Sequence, residues 1–254
     1  MQAAQRITRA PSADTGGELP LYREVKRVLT QSLAEGEWRP GVALPSETRL
    51  GERFRVSIGT VRKAIDELVA ERILVRHQGR GTYVASHNAR RMLFHFFHIV
   101  PAGGGKEQPQ TELLSFERAK ADADSAARLN IAPGAPMFRI RNLLRLAGRP
   151  VVLDEINLPA ERFPRLSEKV FRVRDSTFYQ LYQERYGINV VRSAERLSAA
   201  LADRPSAKLL GVPAGSPLLR IKRTALTYHN VPVELRTSLV NTAEHEYFSD
   251  LGKN

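Results

Sequence analysis

Ser57-Ile58-Gly59-Thr60 opens a predicted helix with small and polar side chains, and Arg62 and Lys63 follow within a turn. Such a start suits contact with nucleic acid. Free backbone N–H groups and the positive end of the helix dipole attract phosphate, while short side chains let the backbone approach a groove. Arg49, Arg53 and Arg55 precede it, and Arg76 and Arg80 stand on or beside the turn Gln78-Gly79-Arg80-Gly81. Taken singly, each arginine reads as an ordinary solvated surface residue; their joint placement points to DNA. A second set lies further along. Arg139 and Arg141 alternate on a predicted strand and share a face, with Phe138 and Ile140 on the other. Arg172 and Arg174 alternate likewise, and Glu155, Thr177, Glu234 and Arg236 lie on neighbouring segments. Paired guanidinium forks suit a carboxylate or phosphate because each bonds it bidentately. The bland alternative is exposed strand arginines paired with surface acids.

Other chemistries fail on composition or spacing. Cysteine is absent, which removes disulfides, thiolate metal sites and cysteine nucleophiles. His95 and His98 are three apart in a β-prone run and should face opposite sides, as core or surface residues rather than a metal pair. His245-Glu246 begins like a zincin helix, but Ser249 stands where the second histidine belongs. Gly103-Gly104-Gly105-Lys106 lacks the spacing of a phosphate-binding P-loop, and no Gly-x-Ser-x-Gly elbow occurs. Neither a catalytic residue, a metal nor a cofactor is expected.

The elements that must position these residues are legible from periodicity. Leu21, Val25, Val28, Leu29 and Leu33 repeat at helical spacing, and Arg39-Pro40-Gly41 ends the run. Ser46 caps a short helix carrying Leu50 and Phe54 inward; Arg55-Val56 turns; Ser57 caps the next helix, with Val61, Ile65, Leu68 and Val69 as its buried stripe. Ile73-Leu74-Val75 and Thr82-Tyr83-Val84 around the glycine turn make a hairpin. Three helices and a hairpin are the layout of a winged helix-turn-helix. Beyond a polar connector, strands at Leu113 to Ala119, Met137 to Leu146, Val151 to Leu158, Val190 to Leu201, Leu218 to Leu226 and Val233 to Val240 alternate with short helices, which predicts an α+β domain with a mostly antiparallel sheet. No repeat recurs at solenoid periods.

With 39 basic and 27 acidic side chains in 254 residues, the formal charge is +12. Residues 1–88 hold 14 basic and 10 acidic groups, so only +4 belongs to the candidate DNA-binding segment and +8 to the rest. The sum therefore says less about DNA than the placement does. Residues 1–18 are polar, and the longest apolar-looking run, Met92 to Val100, is far short of the ~20 residues a spanning helix needs. A cytoplasmic protein with no membrane partner is expected.

Leu21-Tyr22, Pro40-Gly41, Leu44-Pro45-Ser46-Glu47, the run Val56 to Ala64 and the run Gln78 to Val84 resemble the GntR family of bacterial transcription regulators. Residues from about 92 to 248 resemble the UTRA ligand-binding domain of the HutC subfamily, whose fold is chorismate-lyase-like. The stretches that carry this are Leu129-x-Ile131-x-Pro133-Gly134-x-Pro136, Leu146 to Val151, Leu181 to Gly187 and Leu210 to Leu218. The resemblance implies a tail over 1–18, a winged helix-turn-helix over 19–85, a linker over 86–92 and an effector-binding and dimerisation domain over 93–250.

It also implies roles for residues. DNA contacts are expected at Ser46, Thr48, Arg49, Ser57, Ile58, Gly59, Thr60, Arg62, Lys63, Gln78, Gly79 and Arg80, and effector contacts at Arg139, Arg141, Glu155, Arg172, Thr177, Glu234 and Arg236. Thr48 and Ile58 stand where many relatives carry arginines that read guanine or clamp phosphate, so a family-typical operator is not expected. The Ser-Leu-Tyr-Arg-Gly-Asp pattern of sugar-phosphate binders is replaced by Ser238-Leu239-Val240-Asn241-Thr242-Ala243, which leaves a carboxylate-bearing effector as open as a phosphate-bearing one. The expected partners are a double-stranded operator, a small anionic effector and a second copy of the chain. Two alternatives stand beside a ligand-released repressor: a lyase-like enzyme acting on a small aromatic acid, and a DNA binder without an effector.

Overall fold

Val25, Val28, Leu29 and Leu33 line one face of α1 (Leu21–Ala34) and are buried against α3 (Ile58–Ala70), whose own stripe is Val61, Ala64, Ile65 and Leu68. Lys26 on α1 bridges Glu67 and Glu71 on α3 at 2.8 and 2.5 Å. Between them α2 (Glu47–Phe54) buries Leu50 and Phe54. The α2–α3 turn is tight. Arg55 takes a left-handed conformation (φ 56°), and a Cβ added to Gly51 would lie 3.1 Å from the Val56 carbonyl oxygen. The antiparallel hairpin of β1 (Leu74–His77) and β2 (Gly81–Val84) completes the unit, with Gly79 (φ 70°) and Gly81 (φ 106°) in its turn.

The computed structural model describes residues 20–88, 95–173 and 176–249. It divides into two compact units between Ser86 and His87. His87, which the sequence places in a linker, is buried in the second unit; its backbone N–H donates to Gln183 at 2.9 Å, and its ring packs on Phe96 and Tyr179.

The second unit is built on a six-stranded antiparallel sheet. In chain order its elements are β3 (Ile99–Pro101), β4 (Gln110–Lys120), α4 (Ala123–Leu129), β5 (Pro136–Leu146), β6 (Arg149–Pro159), α5 (Glu168–Arg172), α6 (Phe178–Tyr186), β7 (Arg192–Leu201), α7 (Arg204–Leu210), β8 (Pro217–Leu226), β9 (Pro232–Val240) and β10 (His245–Tyr247). The spatial order is β4-β5-β6-β9-β8-β7, with β3 and β10 forming a separate two-stranded ribbon. That order is a palindrome of two β-α-β-β repeats meeting at β6 and β9.

The sequence carries the same repeat at a spacing longer than a solenoid's. Asp122/Asp203, Ser125/Ser206, Leu129/Leu210, Gly134/Gly215, Pro136/Pro217, Arg139/Arg220 and Ile140/Ile221 all stand 81 residues apart. The second hairpin turn is one residue longer, so Pro150/Pro232, Leu153/Leu235 and Asp154/Arg236 stand 82 apart. Both helices are capped alike: Asp122 Oδ1 accepts from the Ser125 N–H and Asp203 Oδ1 from the Ser206 N–H, each at 2.8 Å. At the seam Asp154 faces Ser238 and Ile156 faces Arg236, so the pseudo-twofold axis passes through the Glu155–Thr237 pair.

Alternation along the strands divides the sheet into two faces. One bears Phe138, Ile140, Ile156 and Leu158, packed with Phe163, Phe171, Phe178, Tyr179 and Tyr182. On the other, α7 packs through Ala207 and Leu210 on Leu143, Leu153 and Leu218, and Ala126 of α4 packs on Met137.

Candidate DNA-binding face and effector site

Ser57 has a β-region backbone, and its hydroxyl accepts from the Thr60 N–H at 3.1 Å, satisfying one otherwise orphaned amide of α3. Ser46 caps α2 in the same way, accepting from the Arg49 N–H at 3.3 Å. Both hydroxyls are therefore engaged in capping. Thr48, Arg49, Ile58 and Gly59 are exposed on the first turns of the two helices. Ile58 is 43 % exposed, unusual for an isoleucine. A Cβ added to Gly59 would meet only Ser57 Oγ, at 3.8 Å, so nothing in the fold demands glycine there.

The cations on this face fall into two sets. Arg49, Arg55 and Arg80 make no ion pair with any described residue, and Gln78, Gly79 and Arg80 form the exposed wing turn. The others are engaged. Arg62 Nε donates to Glu47 Oε2 at 2.9 Å, Arg76 pairs with Glu47 at 3.4 Å and Asp66 at 2.8 Å, and Lys63 Nζ sits 4.2 Å from the centre of the Tyr22 ring. Arg53 is held by Glu37 and lies over Trp38. That contact holds the Glu37 carboxyl below the usual carboxylate range.

In the second unit the seven expected effector residues do not converge. Arg139, Arg141 and Glu155 share the sheet face that carries α4 and α7. Glu234 and Arg236 are buried on the opposite face, because their even positions on β9 point away from Thr237. Thr177 is the N-cap of α6, accepting from the Gln180 N–H at 3.2 Å. Arg172 ends a helix rather than alternating on a strand, and its Nε donates to Glu168 at 2.7 Å. Arg174 lies outside the described residues.

What the sequence reading missed is the row that completes the first three. Ser115, Arg141, Glu155, Thr237, Lys222 and Arg196 stand in register across all six strands. The adjacent row contributes Arg139 and Asn157. Several polar atoms here are incompletely satisfied. Arg139 Nε is buried without a hydrogen-bond partner among the described residues, Glu155 standing 3.7 Å away; Asn157 Oδ1 is buried and unpartnered as well. Arg141 makes no ion pair with any described residue, whereas Lys222 is paired with Asp124 on α4 at 3.2 Å. The 81-residue repeat is the signal that would have aligned β5 with β8 and drawn Lys222 in.

The buried charges on the opposite face are mutually satisfied. Arg236 donates to both Glu234 oxygens at 3.0 and 3.1 Å and to Asp154 at 3.2 Å, and Ser238 donates to Asp154 at 2.5 Å. Tyr182 and Tyr179 donate to Glu234 at 2.7 and 3.3 Å. Burial and the nearby carboxylate push the Tyr179 phenol up to about 12. For Arg236, burial disfavours the cation, but Glu234 and Asp154 outweigh it and hold the guanidinium charged. This cluster holds the sheet together, and beside Asp154, Arg223 and Ser238 lies a cavity of about 20 Å³, room for about one water.

A winged helix-turn-helix with two exposed helix starts and a charged wing, joined to a pseudo-symmetric sheet domain, defines a DNA-binding regulator of transcription. Residues 21–84 match the bacterial regulatory proteins of the gntR family and residues 105–246 match the UTRA domain; the chain belongs to the GntR family, in its HutC-type branch. It is 31 % identical over 215 residues to the "Probable fructoselysine utilization operon transcriptional repressor" of Escherichia coli K12, covering 85 % of this chain and 88 % of that one. It is 28 % identical to the mannosyl-D-glycerate transport/metabolism system repressor MngR of the same organism, covering 91 % and 95 %. The crystal structure of PhnF from Mycobacterium smegmatis superposes with a TM-score of 0.52 at 26 % identity, over 91 % of this chain and all of that one. These relatives are transcriptional regulators, not enzymes. No described helix is long and apolar enough to cross a membrane.

Proposed function

We propose that this protein is a homodimeric repressor that releases a pseudo-palindromic operator when a small hydroxylated anion binds the Arg141–Glu155–Thr237 row. The observation that carries the reading is the convergence of incompletely satisfied polar groups on one sheet face: the open Arg141 fork, Arg139 Nε and Asn157 Oδ1. Two guanidiniums recognise a carboxylate or phosphate, while Glu155, Asn157 and Thr237 offer partners to hydroxyls. The names of the two repressors above refer to fructoselysine and mannosyl-D-glycerate, both hydroxyl-rich carboxylates, and support that ligand class. Coupling between effector and operator of the usual ~1–3 kcal/mol requires unequal effector affinity for the two states.

On the DNA side, Ser57, Gly59 and Thr60 let the start of α3 approach a major groove, Arg49 and Arg80 meet phosphates, and Ile58 contacts a thymine methyl. Retardation of duplexes from the neighbouring promoters at moderate salt, with and without millimolar gluconate or glucose 6-phosphate, tests the whole reading. Specific retardation relieved by one of these anions is the expected result. Retardation that no such anion relieves, together with no thermal shift, would leave a DNA binder without this effector class. In sites selected from a random duplex pool, the thymine contact fails if position-specific thymine preference survives Ile58→Ala.

A further inference from the structure

Glu47 is the first residue of α2, and its carboxylate joins three elements of the DNA-binding unit. Oε2 accepts from Arg62 Nε at 2.9 Å and lies 2.8 Å from Arg62 Nη2, so one edge of that guanidinium is occupied. Oε1 accepts from Arg76 Nη2 on β1 at 3.4 Å, and Arg76 Nη1 lies 2.8 Å from Asp66, one turn along α3 from Arg62. Arg62, Glu47, Arg76 and Asp66 thus form a chain of alternating charge across α2, α3 and the hairpin. Arg49, Arg55 and Arg80, on the same unit, have no acidic partner among the described residues.

We propose that Glu47 is a specificity-determining residue: it withholds Arg62 and Arg76 from sequence-independent phosphate binding and presents Arg62 in one orientation to the bases. The inference rests on the assignment of α3 and the hairpin as the DNA face. A phosphate approaching either arginine competes with a carboxylate already bonded to it. An arginine neutralised in this way brings little counterion release, and that release drives non-specific binding. The free phosphate-binding charge is then left to Arg49, Arg55 and Arg80. Because Glu47 grips Nε and one Nη of Arg62, the remaining Nη keeps its donors in a fixed direction, as reading a base edge requires.

Glu47→Gln keeps the shape and removes the charge. In the full-length protein, affinity for a random-sequence duplex at 100 mM salt is expected to rise roughly tenfold. The slope of log K against log[salt] should steepen by ~1–2, since each recruited phosphate adds ~0.9. Preference for a pool-selected site over random duplex should fall. These changes should vanish in an Arg62→Ala/Arg76→Ala background, which isolates the coupling. A second test does not need Glu47→Gln to fold: Arg76→Ala should leave the wild-type slope unchanged, whereas Arg80→Ala lowers it by ~0.9. Equal losses of slope for Arg76→Ala and Arg80→Ala, or an unaltered slope in a folded Glu47→Gln protein, would overturn the proposal and leave the DNA-face assignment standing. Wild-type protein that retards no duplex at 50 mM salt would bring down that assignment and the proposal together.

Discussion

The repeat from β4 to β6 and the repeat from β7 to β9 put equivalent residues at equivalent heights on the same sheet, yet they treat charge in opposite ways. On the face carrying α4 and α7, Arg141 of the first repeat makes no ion pair with a described residue, while the matching Lys222 of the second is paired with Asp124, which α4 of the first repeat supplies, and Arg220 turns toward the Ala199 carbonyl. On the other face, Asn142 in the first repeat matches Arg223 in the second, and Asp154 matches Arg236. A pseudo-twofold brings equivalent positions near its axis together, so an unchanged repeat would set like charge against like. Here the two copies carry opposite charges and form an ion pair 3.2 Å long. The duplicated backbone thus carries two arrangements of charge: the first copy leaves Arg141 without an ion pair among the described residues, and the second supplies the guanidinium that closes the core.

That contrast breaks most severely at Arg236. Arg236→Met strands Glu234 and Asp154 without their cation in a buried setting, and loss of one partner of a buried pair typically costs ~3–5 kcal/mol. A fall of that size in urea-unfolding free energy is expected; a loss under 1 kcal/mol would show that the cluster carries little of the stability. Next in size is the ligand side. Arg141→Ala should weaken the anion-induced thermal shift at least tenfold in ligand concentration, about 1.4 kcal/mol, whereas Lys222→Ala leaves it within twofold. Equal effects would mean that both repeats face the ligand.

A smaller effect of opposite sign is expected at Asn142, which is wholly buried with neither amide atom hydrogen-bonded to a described residue. Asn142→Leu should stabilise the protein by ~1 kcal/mol, because an unsatisfied buried polar group costs about that much or more. Destabilisation would reveal a bridging partner for the amide. Smallest of all is the pH term that the repeats share. Hydrogen bonds from Ser125 and Ser206 hold the Asp122 and Asp203 carboxyls below the usual range. A carboxyl with a depressed folded-state pKa contributes stability above its ordinary value, here 3.8, and loses it as pH falls through the folded value. Asp122→Asn and Asp203→Asn keep the caps and remove the charges, so each should flatten the decline of Tm below pH 4, and by equal amounts.

Much of the fold was legible because its signals are local. Ser46 and Ser57 mark the helix ends they were expected to mark, and the hairpin glycines sit where the β1–β2 turn was expected. Two of the misses are non-local, and one is a local cap overlooked. Strands β3 and β10 are three residues each and pair across more than a hundred positions, which no window of periodicity detects. Arg172 and Arg174 imitate a strand alternation, although Ser167 and Glu168 give α5 a capped, acidic first turn. The resemblance to the UTRA domain groups Glu234 and Arg236 with Glu155, yet they lie on opposite faces of the sheet. Which face each shares depends on the register across the β6–β9 seam, where Glu155 meets Thr237, and no single strand encodes that parity.

The same seam has a consequence for how the chain finds its fold. Every other pairing in the six-stranded sheet joins strands consecutive in sequence, so each repeat can assemble through short-range closures. Only β6 and β9 must meet across a long loop, which makes their docking the step with the largest chain-entropy cost and a natural candidate for the slow phase of folding. A slip of one residue there would turn Arg236 away from Asp154 across the seam and drive Thr237 toward the aromatic core. The buried charges at the axis therefore act as a registration mark, penalising every alignment of the two repeats but one.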